Sequence, residues 1–397
     1  MYVAVSREEC NAEMRNLSTA LEWTKLYANP YKRVSTFDHD YKFFEVLMNT
    51  VIDSVRIPTI HRVARKVFGE KVDVSCVREI SPSHSHGITE TPPSTRNLLY
   101  VVELANHPNV YVFRFSRVDD DVYEKEIQNY ELLAEGTGVR VPTIYALDTS
   151  RRIAPTAFMV MDYLPGKLWN YVAHPDNPNT DRQDKASISE IVGRFYARVH
   201  DITRRMPESG VETQTMLYMI DRLEEAAQRD VVRVTAREID LCRRAILKEE
   251  AFQNRRLSLC LADTEIHVDR KNGEWDLAFV CDAEWIEFRH RFSDLTQVLA
   301  GARPWWVLEQ PAPDLDPDSI AALPFFQGYD PDGSLDYERL LQLASYFQLG
   351  LWSYIAQSSR SPEKRMWVKT AKEPLIRALV GHVARREARS RPLASAV

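Results

Sequence analysis

The spacing of apolar residues changes twice along this chain, and that order limits what it can fold into. Over Glu8–Leu26 and Tyr41–Phe68 apolar side chains recur at three and four (Phe44, Leu47, Met48, Val51, Ile52, Val55), which predicts helices with one buried face. From Val72 the period shortens. Val72–Ile80, Leu98–Leu104 and Asn109–Arg117 are brief runs of β-branched and aromatic residues separated by Pro, Ser, Gly and Asn, which predict antiparallel strands. Tyr123–Ala134 returns to helical spacing and stops at Gly136 and Gly138, and Thr156–Tyr163 reads as a buried strand ended by Pro165-Gly166. Beyond the polar stretch His174–Lys185 the pattern is mostly helical. Ser187-x-x-Glu190 has the form of a capping box, Met216–Glu250 reads as one helical stretch, and Tyr337–Ser358 and Pro362–Ala388 read as two long helices. The expected architecture is α+β and bilobal: a helical extension over 1–71, a small β-rich lobe over 72–165, and a larger helical lobe over 166–397. A cleft between two lobes is where a ligand is expected.

Composition excludes several classes. A formal net charge of −6 argues against non-specific nucleic-acid binding, which needs a basic surface. The five cysteines are scattered without CxxC spacing, so neither a disulfide framework nor a zinc ribbon is expected. No run approaches the ~18 apolar residues of a membrane span, and acids stand near the N-terminus where a signal peptide would be basic, so a cytoplasmic protein with no membrane partner is expected. The 13 glycines in 397 residues are roughly half the usual share. That scarcity matters for any chemistry that wraps phosphates in glycine loops.

Two aspartates stand out. Asp263 closes the apolar run Leu257–Ala262 and Asp282 closes Leu277–Cys281, each a carboxylate at the end of a strand-like segment. Either could equally be a turn residue, since Asp favours turns. Their surroundings decide. Asn109–Arg117, Glu126–Leu133, Val141-Pro142-Thr143-Ile144, Phe158–Gly166, Val199-His200, Leu261-Ala262-Asp263, Asp282-Ala283-Glu284-Trp285 and Phe292-Ser293-Asp294-Leu295 occur in that order. The series over roughly 72–310 resembles the aminoglycoside phosphotransferase family. With Pro304-Trp305-Trp306-Val307 it looks most like the fungal branch.

The resemblance implies a protein-kinase-like bilobal fold and a phosphate site, and the residues at its positions are altered. The strand lysine is Arg114, which keeps the charge but not lysine's compact geometry. Glu126 matches its helix partner, Asp263 the catalytic aspartate, and Asp282 the metal-binding aspartate. The catalytic-loop histidine is absent, since Leu261-Ala262 precede Asp263. The metal-binding asparagine falls on Val268 in one alignment and on Glu265, a hard oxygen ligand, in another. Asp294 corresponds to a scaffold position that ties the catalytic loop, and His200 at a helix end is accounted for by the helix dipole.

The phosphate-covering loop is Ser81–Gly87, with a single glycine and with His84 and His86 two apart. These histidines are a weak metal pair without a third ligand, or a general acid or base, or simply polar loop residues. His267 either transfers protons beside Asp263 and Glu265 or faces out from a strand. The expected catalytic set is therefore Asp263, Glu265, His267, His84 and His86. Arg114, Glu126 and Asp282 would touch any nucleotide or metal, and Glu284, Trp285, Trp305 and Trp306 a substrate. No resident metal is expected. With lysine, asparagine and loop glycines changed together, the expected function is acid–base chemistry on a small organic molecule without a required cofactor, such as cyclisation, elimination or isomerisation. ATP- and magnesium-dependent phosphotransfer is the first alternative and a non-catalytic binding module the second.

Overall fold

Five extended runs pair into one antiparallel sheet of order β1-β2-β3-β5-β4: β1 Val74–Glu79, β2 Asn97–Leu104, β3 Val110–Ser116, β4 Ile144–Asp148 and β5 Phe158–Asp162. This computed structural model describes residues 57–79, 97–116, 121–359 and 361–389. The chain divides into units 1–60 and 61–397, and the second carries every element discussed below. His84, His86 and the rest of their loop lie outside the described residues, as do residues 1–56. The middle strand β3 is almost wholly buried, which accounts for a sequence too apolar to alternate. Its register sets Arg114 opposite Leu99 of β2 and Met159 of β5.

Helix α1, Asp121–Thr137, crosses from the sheet toward the second lobe. It stops where expected: the N–H of Gly138, at φ 69°, returns to the carbonyl of Ala134 at 2.9 Å. After the hinge come β6 Lys167–Leu168 and α2 Arg182–Asp201. The cap of α2 is Asp181, whose side chain accepts from the N–H of Asp184 at 2.7 Å. Ser187 is therefore one turn inside the helix and caps nothing. The stretch read as one helix over Met216–Glu250 is two, α3 Val211–Gln228 and α4 Ala236–Lys248, and the true capping box is Thr235 with Glu238. Hydrophobic spacing continues across the break because both helices turn apolar faces to one core, so periodicity alone concealed it.

Two three-stranded sheets then hold the aspartates. One is β10-β9-β6, built on the hairpin of β9 Glu265–Lys271 and β10 Glu274–Cys281; the other is β11-β8-β7, with β7 Thr203–Arg205, β8 Arg256–Cys260 and β11 Glu287–Arg289. Helices α5 Phe292–Gln297, α6 Pro324–Tyr329, α7 Tyr337–Ser358 and α8 Glu373–Arg389 complete the lobe. Scarce glycines sit where backbones meet: a Cβ at Gly193 of α2 would strike the Phe325 carbonyl oxygen, and one at Gly328 of α6 that of Glu190. Phe325, Phe326, Tyr346, Phe347 and Trp352 are core residues, as their spacing suggests. The basic C-terminal end is anchored in part, because Arg386 donates to the carbonyl and side-chain oxygen of Gln342. The observed α+β, bilobal layout is the one expected.

Candidate functional site

The site assembles around Arg114, which is 3 % exposed at the centre of β3. A guanidinium this deep needs partners for its donors, and acids from both lobes supply them. Nη1 lies 2.9 Å from both carboxylate oxygens of Glu126 in α1 and 3.3 Å from Oδ1 of Asp282. Nη2 donates to Oε2 of Glu284 at 2.8 Å. Tyr130, one turn after Glu126, donates to it at 2.6 Å and accepts from the backbone N–H of Asp282 at 3.0 Å. Asn129 donates to the carbonyls of Ala283 and Ile286. The β-rich lobe is thus latched to the helical lobe by one buried cation and a set of directional bonds.

Charge in this cluster is unbalanced. Among the described residues, Glu126, Asp282 and Glu284 share one guanidinium, and Glu265 adds its charge beside Asp282. Burial works against the Arg114 charge, and Glu126 and Asp282 more than offset it, so its pKa rises. Burial raises the Glu126 carboxyl despite Arg114. The Asp282 carboxyl is pushed up to about 8 by the surrounding protein, against the pull of Arg114 and with Glu265, Glu126 and Glu284 adding. With 42 % of its side chain exposed, Asp282 keeps a face open to solvent. Its backbone is left-handed, φ 57°, a conformation Asp tolerates better than most residues.

Asp263 is held differently. Ala262 before it is also left-handed, φ 50°, a strain of about 1–2 kcal/mol for a residue with a Cβ. Asp294 stabilises that turn: its Oδ2 accepts from Leu261 N at 2.5 Å and its Oδ1 from Ala262 N at 3.0 Å. His200 Nε2 lies 3.2 Å from Oδ2 of Asp294, and His200 Nδ1 lies 2.9 Å from the hydroxyl of Tyr329. Asp294 is the scaffold residue expected. His200 stands in the last turn of α2, at the helix end where it was read, and is a buried member of that tether, 4 % exposed. Asp263 itself is exposed at the turn.

The hairpin register places the two candidate positions in unlike settings. Glu265 pairs with Cys281, next to Asp282, whereas Val268 is fully buried in the core and can ligate nothing. His267 does not simply face outward. Its ring stacks on Phe279 at 4.1 Å and 13°, and its Nε2 lies 3.4 Å from Glu265 Oε2. Trp285 is 44 % exposed on the short turn that carries Glu284. Trp306 is on another turn, its carbonyl accepting from Lys372; of Trp305 only the backbone is described. Tyr130 and Asn129 escaped the sequence reading, although Tyr130 four residues from Glu126 is a readable signal. Cys281 escaped too, because burial and Glu265 raise its thiol well above the ordinary range and spacing marks no partner for it.

A cavity of about 850 Å³ lies away from this cluster, lined among others by Asp184, Arg194, Arg198, Trp275, Asp276 and Tyr329. Two of its acids are already paired, Asp184 with Arg270 and Asp276 with Lys271. Volume alone therefore does not move the site there.

Residues 89–267 match the APH model, the phosphotransferase enzyme family, so the likeness read in the sequence is shown for that segment. A candidate aminoglycoside phosphotransferase from Ralstonia eutropha JMP134 superposes with a TM-score of 0.53 at 14% identity, covering 85% of this chain and 99% of that one. Macrolide 2'-phosphotransferase MphH from Brachybacterium faecium gives 0.51 at 11% identity, covering 79% and 98%. The GDP and kanamycin complex of APH(2")-IIIa gives 0.50 at 13% identity, covering 83% and 98%. No curated protein matches the chain in sequence. The fold is that of the kinase-like phosphotransferases. Among the described residues no helix is long and apolar enough to cross a membrane.

Proposed function

We propose that this kinase-like fold no longer transfers phosphoryl groups and instead carries out nucleotide-independent acid–base chemistry on a small organic molecule in its cleft. The observation that supports this reading is the state of Arg114. A phosphate-holding cation must offer donors to the ligand, whereas both terminal nitrogens of Arg114 are bound to Glu126, Glu284 and Asp282, and the side chain is almost fully buried. Releasing it would leave Glu126 and Glu284 buried without a counter-charge, a change that costs about 3–5 kcal/mol. A nucleotide triphosphate brought to the same place would add negative charge where acids already outnumber cations. The residues present therefore do not fit the phosphate part of ATP, and no step is derived through it.

What the cleft offers instead is carboxyl groups in unlike settings, the arrangement that separates an acid from a base. Asp263, exposed at its tethered turn, is the group to take a proton from a substrate. Asp282, opening to solvent from a crowded acidic pocket, is the group to hold and return one. Trp285 provides an apolar face beside them, and Glu284 stays with Arg114. The fungal resemblance directs the first substrate screen toward natural-product scaffolds.

A second reading keeps phosphotransfer, because the register brings Glu265 beside Asp282, two carboxylates suited to magnesium. One experiment separates the readings. Thermal melting is followed with ATP, with and without magnesium, alongside a nucleotide-free turnover screen read by mass spectrometry. Nucleotide at 100 times its dissociation constant would stabilise by about 2.7 kcal/mol. The proposed chemistry predicts a flat melting response and products of unchanged mass, or lighter by water, that vanish in Asp263→Asn. A magnesium-dependent rise together with a substrate that gains a phosphoryl group would overturn it.

A further inference from the structure

We infer that Glu265, His267 and Cys281 form a binding site for one transition-metal ion of the zinc class. The three donor atoms make a nearly equilateral triangle. Cys281 Sγ lies 3.5 Å from His267 Nε2 and 3.5 Å from Glu265 Oε2, and His267 Nε2 lies 3.4 Å from Glu265 Oε2. Tetrahedral zinc with bonds of about 2.3 Å to sulfur, about 2.05 Å to nitrogen and about 2.0 Å to oxygen spaces its donors roughly 3.3–3.6 Å apart. The triangle has the size of one face of that tetrahedron before any side chain moves. Magnesium does not fit this donor set, because it takes oxygen ligands, whereas thiolate with imidazole selects zinc, cobalt and their neighbours.

The fold fixes all three donors on rigid elements. Glu265 and His267 are two apart on β9, so their side chains share a face, and the register brings Cys281 of β10 opposite Glu265. Stacking on Phe279 orients the imidazole with Nε2 toward the other two donors. Its Nδ1 is buried without a hydrogen-bond partner, so Glu265 and Cys281 are the polar groups that face this ring. Gly166 packs closely on this pair: a Cβ there would sit 2.8 Å from Phe279 Cε1 and 3.1 Å from His267 Cβ.

A similar trio, His200, Cys260 and Asp294, shows what a committed cluster looks like. Both Asp294 oxygens accept backbone N–H groups and His200 uses both ring nitrogens, so those atoms already hold the catalytic turn. In the Glu265 trio the three donor atoms lie 3.4–3.5 Å from one another, and Glu265 is a third exposed, which leaves a path for an ion. Binding releases the Cys281 thiol proton to solvent and places thiolate, imidazole and carboxylate on the metal. Three protein ligands leave a fourth position for water or a substrate oxygen. Asp263 and Asp282, which carry the proposed acid–base chemistry, are not consumed, whereas the phosphotransfer alternative would draw on the same Glu265 for magnesium.

The test uses the full chain, stripped with chelator and titrated with cobalt(II) as the probe. One equivalent should give a thiolate-to-cobalt charge-transfer band, and zinc should displace it. Cys281→Ser should abolish the band while Cys260→Ser retains it. His267→Ala should weaken cobalt affinity by at least the ~10–100-fold that loss of even an outer-shell group costs. Circular dichroism checks that each variant is folded. Absence of the band in the wild-type chain, or its survival in a folded Cys281→Ser variant, would overturn the assignment.

Discussion

The two acid clusters of this molecule meet opposite problems. At Asp294 a single carboxylate faces three partners, the N–H groups of Leu261 and Ala262 and the His200 ring, and both of its oxygens are engaged. At Arg114 a single guanidinium faces Glu126, Asp282 and Glu284, with Glu265 close behind, and the cation is outnumbered. A donor-rich acid is finished structure, because nothing further can be bound without breaking a bond already made. An acid-rich pocket retains capacity, because protons or a cation relieve the repulsion it carries. The difference explains how one molecule can hold both a rigid turn and an open chemical site.

The largest effect should come from removing the outnumbered cation. Arg114→Met leaves Glu126 and Glu284 buried without compensation and should cost about 3–5 kcal/mol, read from denaturant midpoints. A loss no greater than that of an ordinary surface substitution would mean the acids are already neutral and the latch holds by hydrogen bonds alone. Next comes the finished cluster. Asp294→Asn offers one acceptor oxygen where two backbone N–H groups and an imidazole need three lone pairs, a loss of about 1–3 kcal/mol. The turn before Asp263 should then exchange its amide hydrogens faster than the Arg114 strand does, and equal exchange would erase the proposed division between them.

Tyr130→Phe removes the hydroxyl that joins Glu126 to the Asp282 backbone and should cost about 1–2 kcal/mol. Because it acts at the lobe junction, it should also change any small-molecule affinity of the cleft, which Asp294→Asn should leave nearer to wild type. The last effect is confined to a pH window. Burial chiefly holds the His290 imidazole down to about 4. The unfolded chain binds a proton near the usual 6.5 or so and the folded chain refuses it, so stability is full above that value. It should fall as pH drops from about 6.5 toward 4, and melting of His290→Asn against wild type should show that slope removed.

Elements whose signal is local were legible before the fold was known. Helix α1 ended at its glycines, the strands around Arg114 matched their β-branched runs, and Phe325, Phe326, Tyr346, Phe347 and Trp352 were core, while Trp306, read with them, is 37 % exposed. The misreadings share one cause. Ser187 satisfied a capping pattern, but Asp181 had already started the helix, and one apolar period ran across two helices at Thr235. A pattern records which residues are buried, not where the backbone turns.

The sequence by itself determined the bilobal order of elements, the likeness to kinase-type phosphotransferases, and the suspicion that Asp263, Asp282 and Arg114 share one cleft. Those follow from local propensity and from motif order, which a single chain displays. Tertiary structure decided the rest. Whether Arg114 is free or bound depends on Glu284, 170 residues away. Whether Glu265 or Val268 faces the site depends on the register of one hairpin, in which a slip of one residue exchanges the buried and open faces. And Cys281 becomes a partner of His267 only because two strands pair, a closeness of 3.5 Å that a separation of 14 positions gives no hint of.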